Sequence, residues 1–368
     1  MAFHVPLYVD LSPTLGVATC RDVMCRRARH FATTTTTTMA TMTMATTTTM
    51  ATMRGGARAG SARAVTPRVT PPTTTTTTMA MATPRGVVST GRKATPAPRA
   101  RVVVRNTAGD ALPPPAVFDA ACAASEKKSA QAPGTTLTLS FTAGALIGLG
   151  AMLMTAVGGS SPALASANPG LSAFLKGAVG LPAGLTMVIL TGAELFTGNV
   201  FVMTSGLLKG AVDAAALARS WALSYVGNFA GSVFMAWLAY TALTAAAPAT
   251  TAAAIGIATA KASLPFSAAF AKGVLCNWLV CLAVWGTMAT TSVAGKILAI
   301  FWPITMFVTL GFEHSVANMF LIPHGMMLGA NVTWAQMMTG NIIPVTLGNI
   351  VGAAVFVAGA HYIAYGKK

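Results

Sequence analysis

The apolar positions of this chain neither alternate nor follow a single helical stripe. From residue 134 onward they run together in six long stretches, near 137–157, 178–205, 217–246, 267–290, 296–326 and 341–365. A helix needs roughly 20 apolar residues to cross a hydrocarbon core of about 30 Å. Inside lipid, only helices and closed barrels satisfy every backbone N–H and C=O. The pattern therefore predicts an all-α membrane protein with six transmembrane helices over residues 134–368.

Two of these spans carry residues that a lipid-facing helix avoids. The second contains Glu194, and the fifth contains Glu313 beside His314. Ionisable groups at membrane depth are costly and tend to mark transport paths. Both spans are also interrupted by glycine, at Gly192 and Gly198 in one and Gly311 in the other, and the fifth ends at Pro323. A helix broken at membrane depth is tolerated where it lines a cavity or is buried in protein. Broken second and fifth spans are the expectation.

The two broken spans also match one another. Residues 192–201 read GAELFTGNVF and residues 311–320 read GFEHSVANMF, which pairs Gly192 with Gly311, Glu194 with Glu313, Asn199 with Asn318 and Phe201 with Phe320. GNFAG at 227–231 recurs as GNIVG at 348–352, in the same order and at nearly the same offset. A repeat of three spans must enter the membrane from opposite sides in its two copies. This predicts an aquaporin-like inverted 3+3 repeat with its site near the midplane, where the discontinuous helices meet. Each break frees backbone donors and acceptors, and helix N-termini suit an anion. Glu194 and Glu313 are expected to accept backbone N–H bonds and staple the breaks, with a proton relay as the alternative. Asn199 and Asn318 belong to the same structural set.

The copies differ where Leu195 faces His314 in the alignment. An imidazole at the midplane can offer a hydrogen bond or a proton near neutral pH, so His314 is the leading pore-lining candidate. The glycine pairs of GNFAG and GNIVG read as close helix packing. Asn228 and Asn349 either bond across helices or line the path. With the N-terminus inside, Lys127, Lys128, Lys209, Arg219, Lys296, Lys367 and Lys368 face inward, and Lys176, Lys261 and Lys272 face outward. That bias places both termini on the inner side.

The first third is a different material. From Val23 to Gly109 there are 13 basic residues and no acidic one, and the octet TTTTTTMA occurs at 33–40 and again at 73–80. Such a composition cannot bury enough apolar surface to offset chain entropy. Hydroxyl-rich, Arg-rich and acid-poor sequence is the mark of an organellar transit peptide. Residues 1–110 are expected to be a disordered chloroplast transit peptide and linker, which directs the multi-pass protein to the envelope, by this reading its inner membrane. Residues 111–133 follow as a pre-membrane amphipathic helix, with Val117, Ala121 and Ala124 at helical spacing. The formal net charge of +16 lies mostly in this leader. It forms no basic groove with interleaved aromatics, so nucleic acid is excluded as a partner. Five dispersed cysteines exclude a disulfide scaffold. No metal or other cofactor is called for.

GAELFTGN, FEHSVANMF, CNWLVCLAVW at 276–285 and NIIPVTLGN at 341–349 together resemble the formate/nitrite transporter family. The resemblance covers roughly residues 116–366. It implies an aquaporin-like fold, a homopentamer in the lipid bilayer and one pore per protomer. It implies that His314 is the central pore histidine, faced by Thr197 from the break in the second span. Leu185, Leu195 and Val280 match an inner hydrophobic constriction, and Leu181 and Phe307 an outer one, with Leu181 replacing the family's more usual Phe. Lys261 matches a vestibule lysine that draws in the anion; Asn277 and Asn349 match polar pore residues. The implied substrate is a small monovalent anion, with nitrite the expectation for a plastid protein and bicarbonate or formate the alternatives. Neither asparagine of the breaks stands in the Asn-Pro-Ala that an aquaporin carries there. No HExxH, GxSxG or Walker loop points to an enzyme. Cys276 and Cys281 read as buried structural thiols.

Overall fold

The structure is a computed structural model that describes residues 111–242 and 247–367. The expected transit peptide, residues 1–110, lies outside the described residues. The described part is all helical. The first helix, α1 (Pro114–Ser129), starts on a proline, where the missing N–H is no loss. It is followed by α2 (Pro133–Gly159), the short α3 (Pro162–Ala167), α4 (Pro169–Thr191), α5 (Phe196–Lys209) and α6 (Ala214–Ala242). The second half comprises α7 (Pro248–Ala262), α8 (Phe266–Met288), α9 (Val293–Thr309), α10 (Ser315–Met327) and α11 (Trp334–Gly366). Helix α11 is continuous but contains wide turns at Met338–Ile342, Ala354–Gly359 and Tyr362–Gly366.

Helices α2, α4, α6, α8 and α11 are each long and apolar enough to cross a bilayer. The fifth span joins the shorter apolar helix α9 to α10 across a break. The second span likewise joins α4 to α5. Each break is three residues long, 193–195 and 312–314. Gly198, expected to help break the second span, is helical inside α5. Pro323, expected to end the fifth span, sits inside α10. The second span also begins nine residues earlier than the apolar pattern suggested, at Pro169 rather than 178.

The two halves repeat in their packing. Helix α2 lies against α4 and α6, and α8 lies against α9 and α11 in the same way. Helix α1 packs on α5 as α7 packs on α10, while α4 and α9 meet each other at the centre. The glycine motifs set the spacing of the long helices. A Cβ on Gly231 of α6 would stand 2.0 Å from the Phe141 carbonyl oxygen of α2, and one on Gly352 of α11 would stand 2.3 Å from the Val274 carbonyl oxygen of α8. Only a residue without a side chain fits there, and the backbones gain dispersion contact in return.

Candidate functional site at the crossing of the broken helices

The site is built from the two breaks. Helix α4 ends at Gly192, whose φ of +70° is left-handed, and α9 is followed by Gly311 with the same φ of +70°. After each glycine the chain closes a Schellman turn. The Ala193 N–H donates to the Val188 carbonyl at 3.0 Å, and the Phe312 N–H donates to the Phe307 carbonyl at 2.9 Å. The glutamate amides then reach across to the neighbouring span: Glu194 N–H to Leu139 O at 3.2 Å, and Glu313 N–H to Lys272 O at 3.3 Å.

Asparagines from the repeated GN motifs tie down the remaining backbone. Asn228 accepts from the Phe196 N–H at 2.8 Å and donates to the carbonyls of Ser140 and Glu194 at 2.8 and 2.9 Å. Asn349 accepts from the Ser315 N–H at 2.9 Å and donates to the carbonyls of Gly273 and Glu313 at 2.8 and 3.0 Å. Both carboxamides are fully buried, and both amide hydrogens of each are committed. The staple expected of the glutamates is thus made by these asparagines. The reason is chemical. A carboxylate only accepts, whereas a broken helix presents both orphan donors and orphan acceptors, which a carboxamide satisfies together.

The carboxylates bind cations and amide groups instead of backbone N–H. Glu194 accepts from Lys128 Nζ at 2.6 Å and from Asn199 Nδ2 at 2.8 Å. Glu313 accepts from Lys261 Nζ at 2.9 and 3.0 Å, from Asn318 Nδ2 at 2.7 Å and from Asn341 Nδ2 at 3.1 Å. Each lysine comes from the helix that precedes its repeat, Lys128 from α1 and Lys261 from α7. Lys128, Asn228 as a staple, and Asn341 were not singled out from the sequence. The lysines are 133 residues apart while the glutamates are 119 apart, because the first copy holds 14 extra residues in the stretch containing α3. An ungapped alignment at one offset therefore misses the lysine pair.

His314 closes the N-terminus of α10. Its Nδ1 accepts the Ala317 N–H at 3.0 Å, a side-chain cap that Leu195 cannot provide at the start of α5. Its Nε2 lies 2.9 Å from Thr197 Oγ1 of α5. With Nδ1 occupied as an acceptor, the neutral ring carries its proton on Nε2 and donates it to Thr197. The two half-helices of the two repeats are joined through this one bond.

Two cavities meet at the imidazole. One, of about 10 Å³, is lined by Ile147, Leu181, Leu185, Leu195, Val280, Ile304, Phe307 and His314. This is at the lower limit of about 10–15 Å³ needed to hold one water, so the chamber is a narrow constriction, apolar but for His314. The other, of about 130 Å³, opens on the side of Lys261. Its lining includes Leu181, Phe307, His314, Asn318, Lys261 and Lys176. Leu181 and Phe307 border both spaces, and the Phe307 ring lies parallel to that of His314, with centroids 6.0 Å apart. The structure thus brings together Leu181, Leu185, Leu195, Val280, Phe307 and His314. Asn277 and Asn349, expected as polar pore residues, line neither cavity. Asn277 donates to the carbonyls of Thr197 and Asn349 at 3.1 and 2.8 Å. Thr197 is fully buried behind the imidazole.

The site is thus a constriction lined by apolar side chains, with one imidazole at the crossing of two inverted half-helices. The family model described as "Formate/nitrite transporter" matches residues 115–363. The chain belongs to the formate/nitrite transporter family. Among relatives in this family, the "Probable formate transporter" of Methanothermobacter thermautotrophicus is 43% identical, over 71% of this chain and 100% of that protein. The "Nitrite transporter NirC" of Escherichia coli is 36% identical, over 61% of this chain and 81% of its own. A solved "Pentameric formate channel with formate bound" superposes with a TM-score of 0.57 at 32% identity, covering 64% of this chain and 98% of that one. This formate/nitrite transporter family member is therefore a multi-pass membrane protein of the channel type, with six spans and an inverted repeat.

Proposed function

We propose that this protein moves a small monovalent anion through a pore in each protomer, and that the anion is nitrite, carried across the chloroplast envelope. The observation that carries the reading is the position of His314. It is the one polar side chain on the wall of an otherwise apolar chamber that holds at most about one water. A bare anion crossing such a chamber gives up its hydration, which is costly without a compensating donor. The imidazole edge meets the anion at that point, held in place by Ala317 and Thr197. The apolar rings of Leu181 and Phe307, and of Leu185, Leu195 and Val280, exclude larger and more hydrated solutes.

The chloroplast address rests on the acid-poor, Thr- and Arg-rich first 110 residues. A stromal supply of nitrite is the use such an address suggests. Formate is the second reading, favoured by the names of the archaeal relative and of the solved channel. Bicarbonate shares the same size and charge. The solved neighbour is pentameric, and the lipid-facing spans here suit the same homopentamer.

The test is selectivity. Purified protein in proteoliposomes is presented with nitrite, formate and bicarbonate at one fixed pH, and the initial fluxes are compared. Nitrite is expected to lead. A higher formate flux replaces nitrite by formate as the substrate. Flux of none of the three above empty vesicles ends the anion reading altogether.

A further inference from the structure

The wide cavity outside the constriction contains two lysines, and their electrostatic situations differ. Lys261 is bound through its ammonium to both oxygens of Glu313, at 2.9 and 3.0 Å. Its side chain is 17% exposed and that of Glu313 5%. Asn318 and Asn341 complete the shell of that carboxylate. To a solute in the vestibule the pair presents a dipole and no net charge, and its field falls off steeply.

Lys176 stands on α4 and lines the same cavity. Its aliphatic stem packs on the last turn of α2, where its Cδ would lie 3.4 Å from a Cβ on Gly158. Packing the stem on apolar surface and leaving the ammonium to the aqueous side is the usual way a lysine is held at a membrane mouth. Among the described residues no carboxylate lies within ion-pair distance of it. The other acidic residues of the described part are elsewhere. Asp119 and Glu126 are on α1, Asp213 is in the turn before α6, and Glu194 is paired with Lys128. Lys272 lies on α8 and is not part of the cavity wall. The vestibule thus carries one net positive charge, and it belongs to Lys176.

Resting on the transport reading above, we propose that Lys176, and not the paired Lys261, supplies the charge that recruits the anion to the outer vestibule. A single charge at a low-dielectric mouth concentrates counter-ions and speeds their capture, and salt removes the effect. It is a recruiting residue that never needs to leave its position as the anion passes inward to Phe307 and His314.

The experiment measures nitrite flux, and formate flux beside it, into proteoliposomes containing wild type, Lys176→Arg, Lys176→Gln or Lys176→Glu. Each is tested at low salt, where the Debye length is about 30 Å, and at high salt, where it is about 3 Å. Oligomer size in detergent is checked for each. Wild type and the arginine variant are expected to lose flux as salt rises. The glutamine variant is expected to run roughly three- to tenfold below wild type at low salt and to converge with it at high salt. The glutamate variant is expected to run lower still. A glutamine variant with wild-type flux at low salt overturns the proposal. So does an equal loss at both salt levels, which marks a steric or structural role. Wild-type flux that ignores salt overturns it without any variant, which covers the case of a glutamine variant that fails to assemble. Absence of any flux from wild type is a different failure. It removes the transport reading, and the recruiting role with it.

Discussion

His314 uses its two nitrogens for different purposes, and they compete. Nδ1 accepts from the Ala317 N–H and starts α10, while Nε2 meets Thr197. An imidazolium has no acceptor left, so protonating the ring sets one donor against another at Nδ1 and costs the cap. The resting state consistent with this geometry is a neutral ring whose one N–H is held by Thr197, so a passing anion gains that hydrogen bond only by displacing the threonine hydroxyl. A proton-donor cycle requires that cap to open in each turnover. His314→Asn separates the two roles, since asparagine is also a good cap but does not titrate. The oligomer is expected to survive, and with a ring that stays neutral the pH profile of the flux across about pH 5–8 is expected to match wild type, whereas a profile that flattens there restores the proton donor. A profile identical to wild type, with normal oligomer yield, removes any proton-donor role for the ring. His314→Ala additionally loses the cap and is expected to cost about 1 kcal/mol of stability.

The helices are organised around pairs of charges and amides as much as around apolar packing. Each broken span is held by a lysine from a preceding helix, a glutamate at the break and an asparagine from the GN motif. The part-buried Lys261–Glu313 pair ties α7 to the break between α9 and α10. Removing one member leaves the other charge unpaired, which typically costs about 3–5 kcal/mol, whereas removing both is far milder. Lys261→Met is therefore expected to lower the melting temperature of the detergent-purified oligomer sharply. The double variant Lys261→Met/Glu313→Gln is expected to recover most of the loss. Equal melting temperatures for the two variants dismiss the pair as a structural tie. Much of this was visible beforehand: the glutamates, the GN motifs and the glycine breaks all stand in the sequence as repeats. What the sequence does not show is who bonds to whom. Glu194 and Glu313 were expected on backbone amides and lie instead on lysines and carboxamides, because their partners come from segments distant in sequence.

For the whole molecule, the leader and the membrane body are separable by composition. Every described helix begins at or after Pro114, and α1 belongs to the body through Lys128 and through its buried Val117, Phe118, Ala121 and Cys122. A chain starting at residue 111 is expected to assemble and to carry the wild-type flux per oligomer in vesicles, since the Thr-, Ala- and Arg-rich composition of the removed segment does not favour a packed core. A chain that starts beyond α1 is expected to fail, because Glu194 then loses Lys128. Flux lost from the first chain, or kept by the second, contradicts this division.

The sequence by itself determined the solvent, the number of spans, the inverted repeat and the identity of the central histidine. Lipid demands long apolar helices, and any polar residue retained within them stands out. What only the tertiary structure decided was pairing. Lys128 and Lys261 fall at a different offset from the glutamates they neutralise, Asn349 turns from the path to staple Ser315, and Lys176 is left with the free charge. Hydrogen-bond partners are chosen by distances of about 3 Å, and helices brought together from far apart in the chain set those distances.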